Sequence, residues 1–218
     1  MLVYGLNVLK EMDLKRIRKV YCSRKELIDF LKDNKIKYEF KDNAFLDKLV
    51  SGNHQGVVVD VNEYDYFSIN DVEGDFVVIL DHLEDPHNFG AIIRTCVAAG
   101  IKSIIIPKDR SVRVTDTVVK VSAGTIENIK VIMVSNIVDA IKKLKKSGYF
   151  VYSADMNGIN YKDVDYNEKK VLIIGNEGNG ISRLVKDNSD VIVTIPIDKK
   201  VESLNASVSA GILIYGMR

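Results

Sequence analysis

Apolar residues in the second half of the chain come in short unbroken runs. Segments of helical period separate them. The runs at 76–81, 101–106, 130–134, 149–153, 171–175 and 191–195 predict strands. Because these runs do not alternate with polar residues, they predict strands of a parallel sheet covered on both faces. Helices are predicted at 88–99, 115–122, 136–147, 181–187 and 204–216. The helix from Asn136 turns Ile137, Ile141 and Leu144 inward and Lys142, Lys143, Lys145 and Lys146 outward. The last helix carries Leu204, Val208, Gly211, Ile212 and Tyr215 on one stripe, which predicts a packed C-terminus. The fold class is α/β with a parallel sheet. Alternation alone argues for a doubly wound, unknotted sheet, since knots are exceptions.

The first sixty residues form a smaller alternating unit. Val20-Tyr21-Cys22 predicts a strand, and Ser23-Arg24-Lys25-Glu26 a capping box opening a helix through about Asn34. Ile36 to Phe40 predicts a second strand, Asn43 caps a short helix to Val50, and Gly56 to Val61 is a β-branched run. The segment from Asn62 to Asp75 lacks apolar periodicity and reads as a linker whose Tyr64, Tyr66 and Phe67 dock on a neighbour. The expected organisation is therefore a small domain at 1–61, a linker at 62–75 and a larger α/β domain at 76–218. The 218 residues suit that division.

Net charge is only +1, so bulk charge does not argue for nucleic acid. Its distribution changes the picture somewhat. Lys10 to Lys25 holds seven basic residues against two acids, and Asp60 to Asp75 holds six acids and no Lys or Arg. A basic front end suits a polyanion, although solvated helix faces would read the same way. Cys22 and Cys96 lie far apart in apolar context, as buried free thiols of a reducing compartment do. His54, His82 and His87 lack metal-ligand spacing, so no metal is expected. No apolar run approaches the ~18 residues of a membrane span, and no leader pattern precedes the first element. The expectation is a soluble cytoplasmic protein.

Three polar, glycine-containing clusters follow predicted strands, where ligands of open parallel sheets gather. The first runs from Asp85 to Cys96 and contains Asn88, Gly90 and Arg94. Asn88 can cap the helix there; a plain helix start with a surface arginine would look the same. The second is Gly175-Asn176-Glu177-Gly178-Asn179-Gly180. It matches neither the dinucleotide nor the triphosphate fingerprint, and a carboxylate amid glycines exceeds what a turn needs. The third is Ile195-Pro196-Ile197 followed by Glu202-Ser203-Leu204-Asn205. Ser203 or Asn205 can cap the last helix.

Together and in this order, the clusters resemble the three signature motifs of the SpoU family of RNA 2′-O-methyltransferases, within the SPOUT superfamily. Tyr4-Gly5 and Asn53-His54-Gln55-Gly56-Val57 are similar to the ribosomal-protein-like substrate-binding domain of many members. One departure is Ile197-Asp198-Lys199-Lys200-Val201-Glu202, where members commonly place Met and then a glycine turn.

The resemblance implies S-adenosylmethionine as cofactor and a C-terminal trefoil knot, which would replace the unknotted sheet. It implies cofactor binding by backbone groups around Gly175, Ile195 and Leu204, with the Ser153–Gly158 loop alongside. Arg94 would act on the acceptor, with Asn88, Glu177, Ser203 and Asn205 organising it. Family members have been assigned an arginine base. A guanidinium stays protonated in proteins, so a phosphate-clamping, hydroxyl-polarising role is preferred for Arg94. The implied partners are RNA and a second copy of the chain, joined through the C-terminal domain. The implied substrate is a guanosine of large-subunit ribosomal RNA. A tRNA ribose and a non-catalytic RNA-binding protein are the alternatives.

Overall fold

The computed structural model describes all 218 residues, which divide into two compact units. The first comprises 1–65 and 114–127, the second 66–113 and 128–218.

In the first unit, β1 (Leu2–Tyr4) and α1 (Leu6–Glu11) precede β2 (Ile17–Cys22), α2 (Ile28–Asp33), β3 (Tyr38–Phe40), α3 (Asn43–Leu49) and β4 (Val57–Val61). The sheet order is β1-β4-β2-β3, with β2–β3 parallel and both pairings of β4 antiparallel. The sequence reading missed β1 and α1, so it described a mixed four-stranded sheet as a βαβαβ unit. Two cap assignments also shift. The Ser23 hydroxyl donates to Asn43 Oδ1 (2.6 Å), so Ser23 is not a helix cap, and a 3₁₀ turn at Lys25–Leu27 leads into α2. The helix assigned to Asn43 is capped by Asp42, whose carboxylate accepts from Phe45 N (2.8 Å).

Near the start of the second unit Phe67 pairs its backbone with Val131 and Met133, so this aromatic of the predicted linker does dock. Then follow β5 (Phe76–Asp81), α4 (Pro86–Ala98) and β6 (Ser103–Pro107). The chain next contributes α5 (Asp116–Val121) and a 3₁₀ turn to the first unit. It returns as β7 (Lys130–Val134), α6 (Ile137–Lys146), β8 (Phe150–Asn160), β9 (Lys170–Gly175), α7 (Arg183–Asp187), β10 (Val191–Thr194) and α8 (Ala206–Gly216). The six strands are parallel in the order β10-β8-β9-β5-β6-β7. Every residue of β6 and five of the six in β5 are buried, as both-face coverage requires.

Two expectations are corrected here. Residues 114–127, read as part of the larger domain, pack in the first unit, where Val118, Val119 and Ile126 are fully buried. The centre of the basic front patch is neutralised within its own unit. Arg16 is buried against Glu127, Arg18 pairs with Asp60, and Lys19 with Glu39. The acids that answer these cations come from distant strands and turns, which a one-dimensional charge count does not see.

The face of α8 is also reversed. Ala206, Ala210, Leu213 and Ile214 point into the protein, whereas Val208 and Tyr215 of the predicted stripe are 50% and 53% exposed. In a helix this apolar all round, sequence does not say which side is covered.

Candidate active site

A cavity of about 480 Å³ opens beyond the carboxyl ends of β9 and β10, beside the middle of β8 and the start of α8. One wall comes from β8. Its pairing with β10 jumps from Ile192↔Ser153 to Val193↔Ile159, so 154–158 bulge out of the ladder. Ala154, Asp155, Met156 and Asn157 of this bulge line the cavity. Burial alone would raise the Asp155 carboxyl. Its hydrogen bond to Lys186 and those from the Asn157 and Met156 N–H groups outweigh this and hold it below the usual carboxylate range.

The Gly175–Gly180 loop forms a second wall. Asn176 and Gly180 exchange both backbone hydrogen bonds (3.1 and 2.8 Å), folding the loop on itself. A β-carbon on Gly175 would stand 2.2 Å from the carbonyl carbon of Gly180, so only glycine fits. Asn176 organises the loop: its Oδ1 accepts from Gly178 N and Asn179 N, and its Nδ2 donates to the His82 carbonyl (2.8 Å). Sequence reasoning did not single out Asn176.

Nor did it single out Asp81, which ends β5 and is buried. Asp81 Oδ2 accepts from Ser182 N (2.7 Å), and Oδ1 meets His82 Nδ1 (2.6 Å). A carboxylate closing an otherwise apolar strand was the available signal.

At the first predicted cluster, Asp85 rather than Asn88 caps α4, accepting from His87 N and Asn88 N, with Pro86 at the first helical position. Asn88 is thereby freed. Its Nδ2 donates to Glu177 Oε1 at 2.5 Å, joining the first cluster to the second.

In the third cluster, Asn205 caps α8 by accepting from Ser207 N and Val208 N. The Lys199–Lys200 departure is accommodated by Asp198. Its carbonyl accepts from Val201 N and its carboxylate from Lys200 N, and neither lysine takes a positive φ.

Of the eight predicted site residues, Gly175, Glu177, Ile195, Ser203 and Leu204 line the cavity. Asn88 reaches it through Glu177, and Asn205 stands behind it as the α8 cap. Arg94 does not line it: the side chain is exposed on α4. Asp155, Glu177 and Glu202 line the cavity and no Lys, Arg or His does, while Ile174, Val193, Leu204 and Leu213 supply apolar surface. Such a site suits a ligand that carries a positive charge and an apolar portion.

Residues 75–215 match the model of the SpoU rRNA methylase family, and residues 2–67 match that for RNA 2′-O ribose methyltransferase substrate binding. A Bacillus subtilis protein carrying the name TrmH family tRNA/rRNA methyltransferase is 39% identical over 98% of this chain and 93% of its own. An rRNA methyltransferase of Sinorhizobium meliloti, solved with S-adenosylmethionine bound, superposes with TM-score 0.86 at 26% identity, covering 100% of this chain and 86% of its own. A TrmH/SpoU tRNA modifying enzyme of A. aeolicus superposes with TM-score 0.61 at 27% identity, covering 67% of this chain and 75% of its own.

Proposed function

The chain belongs to the SpoU rRNA methylase family, and from that premise we propose that it methylates a ribose 2′-hydroxyl of RNA, at a guanosine of large-subunit ribosomal RNA. The observation that carries this reading is the cavity beyond the β9 and β10 ends, with its glycine-gated loop and carboxylate-only ionic lining. S-adenosylmethionine carries a positive charge and apolar surface, and the carboxylates and aliphatic side chains of the lining answer these. When bound, it supplies a methyl group on a positively charged sulfur.

The protein's own contribution is placement and electrostatics. The close backbone at Gly175 and the Ile195–Leu204 segment would hold the cofactor, with Glu177 and Glu202 answering its positive charge. Asn88 fixes the Glu177 carboxylate through its amide hydrogen bond. Arg94 is exposed and makes no hydrogen bond or ion pair within the chain, so its guanidinium is available to an RNA phosphate beside the acceptor ribose.

A homodimer through the C-terminal unit is part of the proposal. The exposed apolar stripe of α8 supports it, and so does the position of Arg94 outside its own chain's cavity. The family's trefoil knot is also proposed; insertion of β9 between β8 and β5, with β10 on the far side, is compatible with it. Buried Cys22 and Cys96 suit a reducing cytoplasm.

Ribosomal RNA is preferred over tRNA because the solved rRNA methyltransferase matches the whole chain and the tRNA enzyme about two thirds of it. The test is transfer of tritiated methyl from S-adenosylmethionine to a large-subunit ribosomal RNA fragment and to tRNA. Labelling of the first is expected, and Arg94→Ala should lower turnover on the order of 10²-fold or more while cofactor binding persists. Preferential tRNA labelling would redirect the substrate, and absence of cofactor binding would end the methyltransferase reading.

A further inference from the structure

The first unit needs an RNA-contacting surface, yet Arg16, Arg18 and Lys19, the centre of its predicted basic patch, are held in internal ion pairs. A different place in that unit has the right chemistry. Several hydrogen-bond acceptors of the loop from Ser51 to Gly56 are already taken up within the unit. Asn53 Oδ1 accepts from Gln55 N (3.2 Å), and Gln55 Oε1 accepts from Leu6 N (3.0 Å). The Gln55 carbonyl accepts from Arg24 Nε (2.6 Å), the His54 carbonyl from Val57 N, and the Ser51 carbonyl from the Tyr4 hydroxyl. The backbone N–H donors fix which end of each amide faces inward, so the NH₂ groups of exposed Asn53 and Gln55 face outward.

A cation completes the set, and it comes from outside the front segment. Lys120 of α5 lies over the Tyr4 ring, 4.4 Å from its centroid, and donates to the Tyr4 hydroxyl. Its ammonium is 3.1 Å from where a β-carbon on Gly52 would stand, and the group it bonds is a neutral hydroxyl, not a carboxylate. Arg24 adds a second cation, one guanidinium nitrogen of which pairs with Glu26 (3.1 Å). The outward amides and the two cations of this patch are donors, and the Lys120 ammonium carries no carboxylate against it. That set matches phosphate oxygens.

We infer that Lys120, with Asn53, Gln55 and Arg24, forms an RNA phosphate-binding site, and that the RNA-gripping unit is completed by a segment of the methylase half of the chain. This rests on the reading of the protein as an RNA methyltransferase. It also gives a reason for residues 114–127 to pack in the first unit: they bring the cation to the loop.

The test measures binding of full-length protein to a ribosomal RNA fragment by fluorescence anisotropy across a salt series, without methyl donor. Lys120→Gln, which keeps a hydrogen-bond donor for Tyr4 but removes the charge, should weaken binding several-fold. It should also flatten the slope of log K against log salt by about one. Lys120→Arg should restore both, and S-adenosylmethionine affinity and turnover at saturating RNA should be unchanged in all variants. A purely structural role would not move the salt slope. If wild-type protein binds RNA and Lys120→Gln binds equally well with the same slope, this inference alone falls. If wild-type protein binds no RNA, it falls together with the reading beneath it.

Discussion

Single residues in the catalytic unit differ sharply in how replaceable they are. Gly175 is limited by a backbone atom, not by a side chain that could move aside. Gly175→Ala should therefore unfold the Asn176–Gly180 pairing and abolish cofactor binding, while the sheet persists. Calorimetry with S-adenosylmethionine alongside circular dichroism checks this; wild-type affinity in the alanine variant would show that the loop tolerates a β-carbon. Glu177 was legible in sequence as an unneeded carboxylate among glycines, and the structure supplies its partner, Asn88. Asn176 was not legible, because an asparagine between glycines reads as turn chemistry whichever way its side chain points. Only the fold reveals that its amide reaches back to His82.

At the scale of elements, the start of α4 decides what Asn88 can do. Asp85 accepts two of the first-turn N–H groups and Pro86 has none to offer, so the cap is filled and Asn88 turns to Glu177. Asp85→Ala should cost about 1 kcal/mol of stability. It should also lower methyl transfer more than Asp85→Asn, which keeps a capping oxygen. Denaturant titration and turnover measured on both variants separate the effects; equal turnover would show that Asn88 does not depend on the cap. The β8 bulge behaves differently. Sequence marked 149–153 as a strand, but 154–160 carry too little apolar pattern to show that the strand resumes at Ile159 beside β10.

For the whole molecule, the consequential finding is the discontinuous first unit. Removing residues 1–65 would strip cover from Val118, Val119 and Ile126, which are fully buried, and leave Glu127 without Arg16. Burial already pushes the Glu127 carboxyl up against the opposing pull of Arg16, so losing the ion pair exposes a poorly placed acid as well as apolar surface. A chain of 66–218 should aggregate on gel filtration, and replacing Val118, Val119 and Ile126 with polar residues should return it to solution. A well-behaved, unmodified 66–218 would show that 114–127 can find cover elsewhere.

The sequence by itself determined the α/β class, the strands of the parallel sheet to within a few residues except for the second half of β8, and the three polar clusters that follow strands. Those features follow from local runs and turn residues, which act over a few positions of chain. Tertiary structure alone decided which charges cancel, which side of α8 is covered, and where 114–127 packs. Each of these depends on partners tens of residues away, such as Glu127 for Arg16 or Tyr4 for Lys120, and no local pattern encodes them.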